Sequence, residues 1–373
     1  MAREFGSQKS QITSTKTQTN PKSQIRITQT APTLSLGFDI WYLGFVCVLV
    51  LVICDFMKIV ISCPAPPGSR SGNRVTALRW ARILKRLGHR VTIEQEYVAK
   101  PCDLLVALHA RRSFPSIVHY RREHPGGPLI VALTGTDLYR DIHTSRRAQR
   151  SLEWADRLIV LQPCGREELP PNLRSKVRVL YQSTSPTPHS QANNARTFDV
   201  CVLGHLRYEK DPFRAALALR RLPGECNVRV LHAGKALSES MAQRARALMA
   251  SDPRYLWLGE LSRPRARRML ARSRLLVLSS RMEGGANVIS EAVVDGVPVL
   301  ASHISGSIGL LGGNYPGFFP VGDTSALAHL LQRAATDSTY YESLRGWCAG
   351  LKPLFDPARE QGDWAELLAE LRS

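Results

Sequence analysis

The sequence lacks any closely spaced pair of cysteines. Its eight cysteines are scattered along 373 residues, and no two of them form a C-x-x-C motif. Disulfide-stabilised secreted domains and cysteine-ligated zinc sites both depend on such spacings. The pattern therefore indicates neither a disulfide framework nor a zinc site, and it favours a reducing compartment such as the cytoplasm.

Acidic side chains are also few. Asp and Glu total 31 against 50 Lys and Arg, which gives a formal net charge of +19. The first 56 residues hold five basic and three acidic side chains, so +17 belongs to the remainder. An excess of this size predicts an anionic partner or substrate. Nucleic acid is disfavoured as that partner, because the basic residues are spread along the chain without interleaved aromatic residues or a known binding motif.

No clear membrane span is present. The apolar segment 40–54 is 15 residues long, shorter than the roughly 20 residues that a membrane-spanning helix needs. No small-residue cleavage site follows it, and the low-complexity composition of residues 1–36 predicts disorder. Because residues 57–62 read as a clean first strand, we expect residues 1–56 to be a disordered or non-native leader. A membrane anchor at residues 40–54 is the alternative.

From residue 57 onward, strand-like runs alternate with helical ones. This alternation is typical of parallel sheets covered by helices. In the first half, strands are predicted at residues 57–62, 90–93, 103–108, 128–133, 157–161 and 177–181, and helices at 74–87 and 146–154. In the second half, strands are predicted at residues 199–203, 228–233, 255–258, 275–279 and 297–301, and a closing helix at 362–371.

The two series are separated by a segment with the composition of a linker. Residues 182–197 are rich in Ser, Thr, Pro, Asn and Gln. We therefore predict an α/β protein with two doubly wound Rossmann-like domains, a first domain with the linker at 57–196 and a second domain at 197–350, followed by a helical segment at 351–373. Such sheets bind ligands beyond the carboxyl ends of their strands, so the domains are expected to face each other across a ligand cleft.

The most informative segment covers residues 279–299. A strand leads through Gly284 and Gly285 into a helix, so free backbone N–H groups and the positive helix end lie above the sheet, where they favour a diphosphate. Glu291 follows Glu283 by eight residues, and the two carboxylates can therefore address different parts of one extended ligand. A plain acidic helix start would explain the glycines, but not this carboxylate spacing with a Gly-x-Pro-Val strand behind it.

The spacing of Glu283 and Glu291 resembles the signature of a large retaining glycosyltransferase family with the GT-B fold. The resemblance implies that Glu283 contacts the transferred sugar and that Glu291 contacts the ribose of the nucleotide. It also implies that the domain at 57–196 lies on the acceptor side and that the domain at 197–350 binds the nucleotide-sugar. Residues 256–259 resemble the strand and turn beside the uracil, and residues 305–306 resemble the small-residue turn after the next strand. The implied donor site also includes Gly284, Gly285, Ala286, Asn287 and Val288.

A second loop, at residues 204–212, resembles the part of this family that holds the diphosphate with an Arg and a Lys. Lys210 matches the lysine. The arginine position is occupied by His205, so either Arg207 supplies the missing charge or the diphosphate contact differs. The alternative for Arg207 and Lys210 is an exposed basic turn.

The first half contributes further candidates at strand ends. Residues 66–73 connect a strand to a helix, and Gly72 and Asn73 there are donor-site candidates because such a loop can lean over a phosphate; a plain turn is equally compatible. His109 is a catalytic candidate, and Arg111 and Arg112 suit an anionic acceptor. The loop after residue 133 adds the acceptor-side candidates Thr134, Gly135, Thr136, Asp137 and Arg140; a helix cap with no further role is the alternative.

Four of these motifs, at residues 109–113, 133–142, 204–212 and 283–288, together resemble the selenosugar synthases of selenoneine biosynthesis. The resemblance covers nearly all of residues 57–360. It implies that a sugar, typically N-acetylglucosamine, moves from a UDP-sugar to the selenium of selenophosphate, with release of UDP and phosphate. No cofactor beyond the donor substrate is implied.

The chemistry of this acceptor differs from that of an alcohol. Selenium in selenophosphate is already anionic, so the protein is expected to position two anions and stabilise departing UDP rather than to supply a strong base. The chain contains no Asp-x-Asp motif, so no metal bridging the diphosphate is indicated. The alternative function is a transferase of the same fold that acts on a hydroxyl group of a small molecule, glycan or lipid.

Overall fold

The computed structural model describes residues 56–69, 71–188 and 197–372. They contain two sheets of six strands each. The first sheet consists of β1 (Lys58–Ser62), β2 (Arg90–Glu94), β3 (Leu104–Leu108), β4 (Leu129–Leu133), β5 (Arg157–Val160) and β6 (Val177–Val179). The second consists of β7 (Phe198–Leu203), β8 (Val228–Ala233), β9 (Tyr255–Trp257), β10 (Leu275–Leu278), β11 (Val299–Ser302) and β12 (Phe318–Phe319).

Helices follow most of the strands. In the first half they are α1 (Gly72–Arg86), α2 (Phe114–Glu123) and α3 (Arg146–Trp154), with a π-helical turn at Asp137–Asp141 that continues into Ile142–Thr144. In the second half they are α4 (Arg214–Leu219), α5 (Glu239–Ser251), α6 (Arg263–Arg272), α7 (Asn287–Asp295), α8 (Ser305–Leu311), α9 (Thr324–Thr336), α10 (Ser338–Gly350) and α11 (Pro357–Glu370).

All strand pairings are parallel. The strand orders are β2-β1-β3-β4-β5-β6 and β12-β11-β10-β7-β8-β9. In each sheet the order reverses beside the first strand, between β1 and β3 and between β7 and β10. The carboxyl ends of strands at such reversals are where folds of this type bind ligands. The predicted pair of doubly wound sheets is confirmed.

The predicted strands are all present, with ends that differ by at most two residues. They were predictable because strands buried on both faces read as continuous apolar runs, as in β3 and β4, in which every residue is buried. Strand β12 was missed because it is only two residues long. Helix α11 begins five residues earlier than predicted, since Asp356 caps it by accepting a hydrogen bond from the Ala358 N–H at 2.7 Å and Pro357 suits its first position.

Helix α11 returns to the first sheet although it ends the chain. Trp364 packs edge-on against Trp80 of α1, with ring centroids 5.1 Å apart, and both belong to the apolar core on that face of the sheet. Glu360 is buried and accepts hydrogen bonds at 2.9 Å from Trp80 Nε1 and from the Ser183 N–H. The start of the predicted linker is therefore tied to both α1 and α11.

We expect Glu360→Gln to gain stability relative to the native chain as pH rises. Burial raises the pKa of the Glu360 carboxyl above 4.5, against the opposing effect of the Arg79 guanidinium and of the hydrogen bonds from Ser183 and Trp80. The folded state then holds this proton more tightly than the unfolded chain, so ionisation lowers stability as pH rises through the window above 4.5. Glutamine does not ionise.

Denaturant unfolding between pH 4.5 and pH 8 checks this expectation. The difference in free energy of unfolding between Glu360→Gln and the native chain should widen in favour of glutamine as pH rises. Glu366→Gln, an exposed position on the same helix, is the control and should show no comparable trend. A pH-independent difference for Glu360→Gln would contradict the expectation.

Within the described ranges, no helix is long and apolar enough to span a bilayer. The predicted leader lies outside those ranges up to residue 55, including the segment 40–54, so the two interpretations of it stay predictions. Both sheets belong to one compact unit, Asp55–Ser373. Distances between the loops of the first half and those of the second half can therefore be measured.

Candidate active site

The loop after β10 brings Glu283 into contact with the loop after β7. Ser280 Oγ donates a hydrogen bond to Glu283 Oε1 at 2.6 Å, and Lys210 Nζ forms an ion pair with the same oxygen. The side chains of Lys210 and Glu283 are 21% and 11% exposed. Two residues selected from separate motifs thus meet in one largely buried ion pair. Ser280, which was not among the predicted site residues, supports that pair.

Glycines allow three segments to approach closely around Glu283. A Cβ atom on Gly306, near the start of α8, would lie 1.9 Å from the Glu283 carbonyl oxygen. A Cβ atom on Gly284 would lie 2.6–2.7 Å from backbone atoms of Thr134 and Gly135. No side chain fits at such distances. The predicted donor loop and the predicted acceptor loop are therefore in direct backbone contact.

Glu291 lies in a different polar environment. Helix α7 begins at Asn287, so Glu283 precedes the helix and only Glu291 is on it. The buried Glu291 carboxylate accepts a hydrogen bond from Arg263 Nη2 at 3.4 Å and lies 3.7 Å from Arg267 Nη1. Both arginines belong to α6. The two signature carboxylates therefore have separate sets of cationic partners.

Helix α1 reaches the start of α7 through Arg79. Its Nη2 donates a hydrogen bond to Asn287 Oδ1 at 2.5 Å, and its buried Nη1 has no hydrogen-bond partner in the described part of the chain. Arg79 was not among the predicted site residues. A charged residue on the buried face of an amphipathic helix is unusual, and that pattern could have identified Arg79 as a functional candidate. The predicted Gly72 and Asn73 form the first turn of α1, and a Cβ atom on Gly72 would meet open space.

The loop after β7 carries the remaining diphosphate candidates. His205 Nδ1 accepts a hydrogen bond from the Lys235 N–H at 3.1 Å, and burial lowers the pKa of His205. The lowered pKa favours the neutral imidazole, and Arg207 and Lys210 are the fixed cations of this loop. Arg207 Nε is buried without a partner among the described residues. No cluster of three or more metal-ligating side chains occurs in those residues.

In the first half, His109 follows β3 in a left-handed backbone conformation, with φ 78°. Such a conformation is uncommon for residues other than glycine and concentrates at functional sites. The buried imidazole places Nε2 3.3 Å from Thr136 Oγ1 and 3.8 Å from Asp141 Oδ2, and Nδ1 3.9 Å from Asp137 Oδ2. His109 is thus held between two carboxylates and a hydroxyl group.

Asp137 fixes the loops around His109. Its buried carboxylate accepts hydrogen bonds from the backbone N–H groups of Ala110 at 3.1 Å, Thr134 at 3.1 Å and Gly135 at 2.8 Å. These bonds join the loop after β3 to the loop after β4. Thr134 Oγ1 is buried in the same region and has no hydrogen-bond partner among the described residues. Thr134 therefore keeps a hydroxyl group that a ligand could bind, whereas the Asp137 carboxylate is occupied by backbone N–H groups.

Asp141, which lies in the 133–142 motif but was not among the predicted site residues, pairs with the acceptor-side arginines. Its carboxylate pairs with Arg111 Nε at 2.8 Å and with Arg140 Nε at 3.4 Å. Arg140 also approaches the second half, with Nη1 4.0 Å from Glu209 Oε1. Arg111 and Arg140 are about half exposed, and Arg112 is exposed. This edge of the first half therefore carries accessible guanidinium groups.

We expect His109 to titrate below pH 6.5. Burial lowers the pKa of its imidazole, and Arg112 and Arg111 act in the same direction, against the opposing charges of Asp137 and Asp141. Imidazole resonances followed by NMR between pH 4 and pH 8, and assigned with His109→Gln, measure the midpoint. A His109 midpoint above 6.5 would show that the carboxylates outweigh burial.

Residues 186–346 match the model of the family described as glycosyl transferases group 1. The matched region contains Lys210, Glu283 and Glu291, and it covers the second sheet. The second half of the chain is therefore similar to the glycosyltransferases of this group, and the chain is a glycosyltransferase. No curated protein matches the chain.

Solved structures similar to this chain give the fold. They include HepE from Anabaena in complex with UDP and glucose, with 17% identity, 84% of this chain and 100% of that chain covered, and a TM-score of 0.67. Sucrose-phosphate synthase from Thermosynechococcus elongatus has 15% identity, coverages of 84% and 98%, and a TM-score of 0.71. A glycosyltransferase from Rickettsia africae has 13% identity, coverages of 85% and 98%, and a TM-score of 0.62. The predicted GT-B fold is confirmed.

Proposed function

We propose that this glycosyltransferase moves a sugar, N-acetylglucosamine in the first instance, from a UDP-sugar to the selenium of selenophosphate. The observation that carries the sugar-transfer part of the proposal is the buried contact of Glu283 with Lys210 and Ser280 where the two halves meet. A UDP-sugar donor is supported by the complexes of the similar HepE protein with UDP and with UDP-glucose.

The donor would extend along the second sheet. A cavity of about 450 Å³ at the ends of β8 and β9, lined by Trp257, Gly259 and Lys235 among others, suits the uracil base. Glu291 would accept hydrogen bonds from the ribose hydroxyls, because its arginine contacts at 3.4 Å and 3.7 Å leave much of its acceptor capacity unused. The backbone N–H groups at the start of α7, together with Lys210, would bind the diphosphate.

Bond breaking places negative charge on UDP. As the bond between the anomeric carbon and the β-phosphate oxygen breaks, Lys210 would stabilise the charge that develops on that oxygen. Glu283 would orient the transferred sugar from its fixed position beside Ser280. The role of these groups is positioning and electrostatic stabilisation, which the short, buried contacts of the loop support.

The acceptor step needs no strong base. The selenium lone pair would form the bond to the anomeric carbon as UDP leaves, and water would then cleave the P–Se bond, giving the selenosugar and phosphate. The +17 charge outside the first 56 residues supports two anionic substrates. The described cysteines are all free, which supports the reducing cytoplasm as the place of action for an oxidation-sensitive selenium compound.

A hydroxyl acceptor is the second candidate, and His109 is the observation that favours it. Its lowered pKa and its place between Asp137 and Asp141 are properties of a general base, which an alcohol acceptor requires and a selenide-like anion does not. A hydroxyl acceptor therefore requires His109 as a base, whereas selenophosphate does not.

Rates of UDP release from UDP-N-acetylglucosamine separate the candidates. With the full chain under anaerobic conditions, selenophosphate should raise the rate at least about 100-fold over the acceptor-free reaction, while glycerol should not. His109→Gln should then retain most of the selenophosphate-dependent rate. The opposite result would support the second candidate instead. In that case an alcohol, but not selenophosphate, would raise the rate of UDP release, and His109→Gln would abolish the increase.

A further inference from the structure

Two adjoining cavities lie on the first half beside Asp141. One, of about 470 Å³, is lined by Arg111, Arg146 and Arg147 among others. The other, of about 500 Å³, is lined by Arg111, Arg112 and Arg147 among others. Because Arg111 and Arg147 line both, the cavities are two lobes of one basic depression. We call Arg111, Arg112, Arg146 and Arg147 the arginine basin.

The basin carries positive charge that the protein does not balance. Only Asp141 and Glu96 contribute carboxylates to its lining, and Asp141 is already paired with Arg111 at 2.8 Å. In the described part of the chain, no ion pair involves Arg112, Arg146 or Arg147. Guanidinium groups crowded around one cavity repel each other unless an anion lies between them.

Helix α3 has its charges in the unfavourable direction. It begins with Arg146 and Arg147 and has no acidic residue in its first turn, whereas Glu153 lies in its last turn. The positive end of the helix dipole favours acidic residues at the start of a helix and disfavours basic ones. Local rules are broken in this way mainly where the residues serve a function, so Arg146 and Arg147 are better explained by a ligand than by helix stability.

A chain of contacts links the basin to the meeting point of the two halves. Arg111 bonds Asp141, whose carboxylate lies 3.8 Å from His109 Nε2. His109 contacts Thr136 at 3.3 Å, in the loop that abuts Gly284. A ligand in the basin would therefore lie on the acceptor side of the cleft, beside the loops that face the donor.

We propose that the arginine basin binds the phosphate group of the acceptor and that Arg147, which lines both lobes, determines the preference for a phosphate-bearing acceptor. Arginine suits this role because its planar fork donates paired hydrogen bonds to phosphate oxygens. The inference rests on the proposed function for its link to sugar transfer. Phosphate binding itself is independent of which atom of the acceptor attacks.

Calorimetric titration of the full chain with inorganic phosphate tests the basin. Arg147→Ala should weaken phosphate binding about tenfold or more, since a hydrogen bond to a charged group is lost, and Arg147→Lys should recover part of the affinity. Arg122→Ala removes an exposed arginine of α2 that lines neither lobe, so it should bind phosphate as the native chain does. Unchanged UDP affinity in Arg147→Ala would show that the fold is intact.

Two results would overturn the inference: no phosphate binding by the native chain, or equal phosphate affinity in Arg147→Ala and Arg122→Ala. In turnover, Arg147→Ala should raise the KM for the acceptor and leave the KM for the UDP-sugar unchanged. If selenophosphate does not stimulate UDP release but Arg147→Ala still weakens phosphate binding, the proposed function is wrong and the assignment of the arginine basin to phosphate is retained. If Arg147→Ala uses selenophosphate as well as the native chain does, the arginine basin does not bind the acceptor and the proposed function is retained.

Discussion

Lys210→Ala is expected to lower kcat/KM for the UDP-sugar about 100- to 1,000-fold, the loss typical when one group that stabilises a developing negative charge is removed. Lys210 is the cation in direct contact with Glu283, and its removal also leaves that largely buried carboxylate without its charged partner. Initial rates of UDP release measure the effect. Lys85→Ala, an exposed lysine on α1, is the charge-matched control and should keep the native rate.

A double variant separates the two roles of Lys210. If the Lys210–Glu283 contact organises the site, the losses in Lys210→Ala and Glu283→Gln should be far from additive, because residues in contact share one interaction energy. Additive losses would indicate that the two groups act on different parts of the substrate. A loss of less than tenfold in Lys210→Ala would contradict its assignment to the departing diphosphate.

Gly284→Ala is expected to lower kcat/KM at least about 100-fold, because displacements near 1 Å in an active site have effects of that size. The added Cβ atom would lie 2.6–2.7 Å from backbone atoms of Thr134 and Gly135. Backbone cannot rotate away as a side chain can, so the donor and acceptor loops must move apart. Turnover should fall much more than UDP affinity, since the clash lies between the halves.

Gly346→Ala is the matched control for that substitution. Gly346 lies within α10, and a Cβ atom there would meet open space, so activity should be unchanged and stability equal or slightly higher. Comparison of the unfolding midpoints of both variants separates loss of the site from loss of the fold. Native turnover in Gly284→Ala would mean that the loops do not need this close approach.

The parts of the site that the sequence predicted are those fixed by parallel-sheet topology. Lys210 follows β7 and Glu283 follows β10, and these neighbouring strands are parallel, so residues just after their ends must lie at the same edge of the sheet. The same topology brings His109 and the loop beginning at Thr134 together, since β3 and β4 are neighbours as well. Strand order could be expected from the fold class, and these contacts follow from strand order.

Other contacts depend on packing that no local pattern records. Arg79 meets Asn287 across 208 positions of sequence, and only the docking of the two halves creates that bond. The family resemblance implied that Glu291 contacts the ribose, whereas its pairing with Arg263 and Arg267 depends on how α6 lies beside α7. Asp137 was grouped with ligand-binding residues because an acidic loop residue has the same sequence signal whether it serves a ligand or the backbone.

The most direct test of the central claim is the mass of the product. The full chain, incubated anaerobically with UDP-N-acetylglucosamine and selenophosphate, is expected to yield UDP, phosphate and an N-acetylhexosamine that carries the isotope pattern of selenium, and Lys210→Ala should yield almost none. Consumption of the donor without any selenium-bearing sugar, or formation of an oxygen-linked glycoside in its place, would contradict transfer to selenium.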